Sequence, residues 1–182
     1  MGPTVDLSPA VAQACKAVSE ELEMRCSMFK KIMWATDGSE NADHALAVAK
    51  SLASKEAATL TIVHVVEKIA TSGDAALGWY ANEELVEAKV DKIASELSKE
   101  GLHTSVKMVT HVGPQPAHEI AELARETEAD LIVVGTRGHG AIPGILLGSV
   151  TQRLLHFAPC PVLVVPPAAT GAREDDESGH TS

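Results

Sequence analysis

Apolar residues recur along this chain in two rhythms that alternate: short unbroken runs, and stripes spaced three or four residues apart. The run Lys31 to Thr36 reads as a buried strand, and Ala42, Ala45, Leu46, Ala49, Leu52 and Ala53 after it fall on one side of a helix. Leu60 to Val66 is a second run. Val86, Val90, Ile93 and Leu97 then mark a second helix, which Gly101 is placed to end as a C-cap. Between them the glycine-containing stretch from Glu67 to Tyr80 reads as a loop. Val106 to His111 gives a third strand, Pro116 to Ala129 a third helix with Ile120, Ala121 and Ala124 inward, and Leu131 to Val134 a fourth strand. Gly148 to Phe157 reads as a fourth helix. Val162 to Val165 closes the series as a fifth strand, bracketed by Pro161 and Pro166, where proline is tolerated at strand ends or on a sheet edge.

Strands that alternate with helices are joined by right-handed crossovers, so the pattern predicts an α/β domain with a doubly wound five-stranded parallel sheet and helices on both faces. Aromatic residues make up only 3% of the chain, which leaves Val, Ile, Leu and Ala to build the core, as in parallel sheets covered on both sides. In such sheets ligands bind beyond the carboxyl ends of the strands, where the strand order reverses. Residues just after each strand are therefore the candidates.

Two segments stand outside the alternation. Residues 1–28 carry Val11, Cys15, Val18 and Leu22 at helical spacing behind a Ser8-Pro9 start, and read as a helical N-terminal extension, either a bare addition or an arm for a partner. Residues 168–182 are rich in Gly, Asp, Glu and Ser and read as an acidic disordered tail, which leaves 29–167 as the domain. A chain of 182 residues has room for one such domain.

The formal charge of −10 repels a phosphate backbone at long range, which argues against nucleic acid as a partner, and stacking platforms for single strands are missing. Cys15, Cys26 and Cys160 are odd in number and lack CxxC spacing, which fits reduced thiols better than a disulfide framework and disfavours zinc. No apolar run approaches the length of a membrane span. The expected location is the cytoplasm, with no membrane partner.

Chemistry concentrates after the fourth strand, in Gly135-Thr136-Arg137-Gly138-His139-Gly140 and, with nine residues between it and Gly138, in Gly148-Ser149 at a helix start. Glycines there let the backbone approach a ligand closely, and the open N–H groups and dipole of a helix start attract anions. Turn formation and simple capping explain any one of these residues; the joint pattern points to phosphate. It is neither GxxxxGK[ST] nor GxGxxG, so P-loop and dinucleotide readings lack their defining residues. Asp37, just after the first strand, is placed to accept hydrogen bonds from ribose hydroxyls, or simply to form the Asp37-Gly38 turn. Ser39 looks like an N-cap. Arg137 and His139 either touch phosphate or face solvent. His64 reads as a core residue, His111 has no assigned role, and Cys160 between two prolines reads as packed.

The GxxG, nine residues, GS spacing, the opening Lys31-Ile32-Met33-Trp34-Ala35-Thr36-Asp37-Gly38-Ser39 and the closing Pro159-Cys160-Pro161-Val162-Leu163-Val164-Val165 together resemble the ATP-binding branch of the universal stress protein family, from Phe29 to Pro166. The resemblance implies strand order 3-2-1-4-5, an adenine nucleotide alpha hydrolase-like sheet. It also implies ATP as the ligand, with Mg or Mn bridging its phosphates rather than held by protein ligands. Ala35, Thr36 and Asp37 would meet the adenosine, Val65 the adenine edge, and Val134 and Gly135 would flank the nucleoside. Gly138, Gly148, Ser149 and Val150 would hold phosphates, with Arg137 close by. The expected function is a nucleotide-dependent regulatory or stress-response factor with no catalytic residue and at most weak ATPase activity, working as a homodimer through Val162 to Val165. The alternatives are an ATPase or nucleotidyl-transfer enzyme of the same architecture, against which the DGSE loop stands in place of SGGxDS, and a cyclic-AMP-binding member of the family.

Overall fold

The computed structural model describes residues 27–68, 75–112, 115–138 and 146–167, together with Pro9 and Gln13. From residue 27 onward the described elements are β1 (Lys31–Thr36), α1 (Glu40–Glu56), β2 (Thr59–Lys68), α2 (Ala75–Lys99), β3 (Thr104–Val112), α3 (Pro116–Glu126), β4 (Leu131–Gly135), α4 (Ser149–Phe157) and β5 (Val162–Val165). The helix expected from Val11, Cys15, Val18 and Leu22 and the tail from Ala168 lie outside the described residues.

The expected loop from Glu67 to Tyr80 is corrected at both ends. Pairing with β3 carries β2 on through Glu67↔His111 and Lys68↔Val112. α2 already begins at Ala75, ahead of the aliphatic stripe that marks its later turns. Gly78, Trp79 and Tyr80 interrupt that stripe, so periodicity alone places the start too late. Elsewhere the bounds differ by a few residues: α3 stops at Glu126 rather than Ala129, because Glu128 turns to a positive φ of 53°.

The sheet is wholly parallel, in the order β3-β2-β1-β4-β5. Its direction of growth reverses between β1 and β4. Their pairing ends at Trp34↔Val133, so Ala35 and Thr36 on one strand and Val134 and Gly135 on the other run past each other unpaired. That parting opens the crevice a doubly wound sheet offers to ligands.

Alternation along β1 sends Ile32 and Trp34 to one face and Met33 and Ala35 to the other. The first face packs against α1 and α2 through Ala42, Ala45, Ala49, Ala53, Val90 and Leu97. The second packs against α3 and α4 through Ala117, Ile120, Ala121, Ala124 and Leu154. Alanine at every buried position of α1 brings its backbone close to the sheet, and the fully buried Trp34 fills the remaining space, its Nε1 donating to the Ala42 carbonyl at 3.0 Å. Burial of one such large side chain is worth about 1.5–3 kcal/mol. The strand ends at the crevice are thereby fixed from both sides. Among the described residues no helix is long and apolar enough to cross a membrane.

Candidate functional site

Two strand-to-helix junctions meet at the crevice. In the first, the chain leaves β1 at Thr36 and turns through Asp37, Gly38 and Ser39 into α1. Gly38 takes φ +82°, where L side chains are strained, and a Cβ there would lie 2.7 Å from Val86 Cγ2. The Gly38 N–H donates to Thr36 Oγ1 at 3.0 Å. Asp37 Oδ1 accepts from both the N–H (3.1 Å) and the Oγ (2.6 Å) of Ser39. Ser39 Oγ in turn accepts from the Ala42 N–H at 3.4 Å and caps α1, which carries Glu40 and Asp43 in its first turn.

The second junction runs from β4 through Thr136, Arg137 and Gly138, and re-enters the described chain before α4. Residues 139–145, His139 among them, lie outside the described residues. Gly135 has no room for a side chain: a Cβ would sit 2.8 Å from the Asn41 carbonyl oxygen at the start of α1. Gly138 has still less, because a Cβ would come within 1.9 Å of Asp37 Oδ2. Gly148 is the N-cap of α4 and offers no side-chain cap, and the first turn of α4 holds no acidic residue. Its own N–H is turned back to the Thr136 carbonyl at 2.8 Å.

The donors that α4 leaves without an intrahelical partner are therefore the N–H groups of its first turn, from Ser149 onward. They sit beside the Thr136–Gly138 backbone, since a Cβ at Gly148 would fall 3.5 Å from Arg137 Cα and 3.9 Å from the Gly138 nitrogen. Two buried polar atoms in the same stretch, Thr136 Oγ1 and Arg137 Nε, have no hydrogen-bond partner among the described residues. Buried polar groups are normally satisfied, so such orphans at an open edge fit a site made to receive a polar ligand.

Most of the residues expected at the site converge here. Ala35 and Thr36 are buried at the end of β1, Asp37 touches Gly138, and Val134 and Gly135 close β4. Arg137 and Gly138 are half-buried, Ser149 is exposed and Val150 packs on the second core. Val65 stands apart: it lies one residue beyond the last β1 pairing, Thr36↔His64, opposite Val109 of β3. Gly148 differs in kind, because its N–H is already spent and what it offers is a missing side chain.

Thr151 escapes sequence reasoning. It is buried and donates from Oγ1 to the Gly135 carbonyl at 2.9 Å, tying α4 to the end of β4, but a threonine at the third position of a helix carries no distinguishing signal. His64, expected in the core, is buried there and hydrogen-bonded on both ring nitrogens, to the Thr36 carbonyl and to Glu83 of α2. Cys160 is half-buried against the second core, and burial pushes its thiol pKa up. Among the described residues no group of three His, Cys, Asp or Glu side chains is placed to hold a metal ion.

The chain matches the Universal stress protein family over residues 28–166. A universal stress protein of Thermus aquaticus, from the QAH/OAS sulfhydrylase 3′ region, is 38% identical over 140 residues, which span 76% of this chain and 99% of that protein. A universal stress protein solved in complex with cAMP is 26% identical with a TM-score of 0.56, over 78% of this chain and 100% of that one. The universal stress protein of Archaeoglobus fulgidus in complex with dAMP is 25% identical with a TM-score of 0.53, over 75% and 98%.

Proposed function

This chain belongs to the universal stress protein family, and from that membership we propose that it is an ATP-binding regulatory protein with slow or no hydrolysis. One observation carries the reading: the carboxylate of Asp37 lies against the α-carbon of Gly138, beside a helix start with neither side-chain cap nor acidic first turn. A ribose held by Asp37 would then have its phosphates directed at the N–H groups of Ser149 and Val150, with Arg137 adjacent. The dAMP and cAMP complexes of relatives support adenine nucleotide as the ligand class.

The residues fit such a group. The orphaned Thr136 Oγ1 and Arg137 Nε provide donors, Gly138 lets Asp37 approach, and Gly148 leaves space that a side chain would fill. A divalent cation, Mg or Mn, would be held through the phosphates. The ionisable side chains among Thr36–Ser39 and Thr136–Gly138 are those of Asp37 and Arg137, and Asp37 is committed through Oδ1 to Ser39. The hydroxyl that Asp37 meets, Ser39 Oγ, is engaged as the cap of α1, which suits holding the turn rather than attacking a ligand and supports binding over turnover. β5 is an edge strand whose Val162, Leu163 and Val164 are only half-buried, and pairing of two copies along it would cover that edge. The protein is expected to act in the cytoplasm.

Mass spectrometry of the gently purified protein should find ATP or ADP bound, and calorimetry should rank ATP above cyclic AMP. The complex of a relative with cAMP favours the cyclic nucleotide as a second reading; an uncapped helix start suits a chain of phosphates better. Tighter cyclic AMP binding would reverse the choice. Phosphate release faster than about one per second, within the ordinary enzyme range, would replace a binding protein with an ATPase.

A further inference from the structure

We infer that α2 is the positioning element for Asp37: Glu83, Val86 and Lys89, successive residues on its inward face, grip the β1–α1 turn and aim the Asp37 carboxylate into the crevice. The inference rests on the nucleotide reading above for the ligand, but not for the grip itself. The three side chains are half-buried, whereas Glu84, Leu85, Glu87 and Ala88 between them are exposed. Their spacing of three residues puts them on one side of the helix.

Each holds a different part of the turn. Val86 lies over the α-carbon of Gly38 so closely that no Cβ fits between them. Lys89 Nζ donates to the Gly38 carbonyl at 2.8 Å and to Asp43 Oδ2 of α1 at 2.7 Å. Glu83 acts through His64. The Thr36 carbonyl can only accept, so His64 Nδ1 carries a hydrogen and donates to it at 2.9 Å; Nε2 meets Glu83 Oε2 at 2.7 Å with one proton shared between them.

These contacts account for the peptide units around Asp37. The unit before it is held at the Thr36 carbonyl by His64, and the unit after it at the Gly38 N–H by Thr36 Oγ1. The next is held at the Gly38 carbonyl by Lys89 and at the Ser39 N–H by Asp37 itself. A carboxylate so framed keeps Oδ1 on Ser39 and Oδ2 toward Gly138. None of the three α2 residues lies in the glycine-rich stretch or next to β1 in sequence, so the grip is visible only in three dimensions.

The test compares wild type with Lys89→Met, Glu83→Ala and Glu83→Gln, the last keeping a polar partner for His64 Nε2. In the ligand-free protein, amide hydrogen exchange at Gly38 and Ser39 should quicken about fivefold or more in Lys89→Met and Glu83→Ala, as loss of one hydrogen bond implies. The amides of β1 and β4 should not follow. Calorimetry with ATP and with 2′,3′-dideoxy-ATP then separates aim from bulk stability. If α2 works by aiming Asp37 at ribose hydroxyls, Lys89→Met weakens ATP about five- to tenfold and leaves the dideoxy analogue nearly unchanged, and Glu83→Gln recovers most of what Glu83→Ala loses. Equal losses with both nucleotides, or unchanged exchange at Gly38 and Ser39, overturn the inference. If wild type binds neither nucleotide, the ATP reading falls, while the exchange result still decides whether α2 holds the turn.

Discussion

The junctions β1–α1 and β4–α4 stand side by side at the carboxyl edge of one parallel sheet, yet they finish their helices in opposite ways. At the first, Ser39 caps α1, acidic residues occupy its first turn, and Asp37, Thr36 and Lys89 satisfy the backbone of the turn, while Asp43 Oδ1 is buried without a partner among the described residues. At the second, Gly148 leaves α4 without a side-chain cap, its first turn holds no acid, and buried polar atoms of Thr136 and Arg137 go unpartnered. A helix start with glycine at its N-cap forfeits roughly a few tenths of a kcal/mol relative to a capping side chain. The molecule accepts that loss at one junction only, the one whose donors face the crevice. The closed junction supplies a fixed carboxylate and the open one supplies unpaired donors, a division suited to a ligand with a hydroxylated middle and an anionic end.

The largest effect expected from breaking this contrast comes from Gly38→Val in the closed turn. A side chain there meets both a positive φ and Val86 at 2.7 Å. The two penalties together should cost about 3 kcal/mol or more, and Tm in thermal denaturation should fall by roughly 10 °C. An unchanged Tm would show that the turn is not closed as described.

Next in size is a substitution that makes the open junction resemble the closed one. Gly148 has φ −69° and ψ 160°, a conformation any residue adopts, and its Cβ would meet only ordinary contacts at 3.5 Å or more. Gly148→Asp should therefore cap α4, a gain of roughly a few tenths of a kcal/mol, and with the lower entropy of the unfolded chain should raise stability of the ligand-free protein by up to about 1 kcal/mol. The same carboxylate would occupy and repel the phosphate position, lowering ATP affinity at least about tenfold in calorimetry. Gains in both stability and affinity would mean that the α4 start does not receive an anion. Ser39→Ala is the converse and smaller change. It should cost about 1 kcal/mol of stability through the lost cap, with a few-fold loss of ATP affinity as Asp37 loses one of its Ser39 donors.

The closed junction is easier to read from sequence than the open one, and for a physical reason. Strands, the α1 stripe and the Ser39 cap are local, since each is written in residues a few positions apart. Spacing is what nominates Gly135 to Ser149 as the proposed phosphate site, and strand order comes with the family resemblance. What spacing does not reveal is the division of labour within the stretch: Gly138 is small because Asp37 approaches it from another loop, and Gly148 spends its N–H on Thr136. The start of α2 escapes periodicity because Gly78 and two aromatics break its stripe, and with it goes any sign that Glu83 answers His64 of β2. Such contacts join residues far apart in sequence, and periodicity carries no record of them.

The smallest effect lies at the opposite edge of the sheet and serves as the control for all the others. Lys31 Nζ, at the start of β1, donates to Glu128 Oε2 at 2.8 Å, and this hydrogen bond and the lysine charge hold the Glu128 carboxyl below the usual glutamate range. A depressed carboxyl contributes stability above its ordinary value, about 4.3, and that contribution fades as pH falls through the lowered one. Glu128→Gln should therefore lower Tm slightly at neutral pH, and the gap to wild type should close in acid. Because the pair is exposed, the shift should be small and shrink with salt. Nucleotide affinity should not change, since Glu128 lies beyond the amino end of β4 and the crevice lies past its carboxyl end. A gain of ATP affinity in Glu128→Gln as large as the loss in Gly148→Asp would mean that overall charge, rather than the open α4 start, governs anion binding.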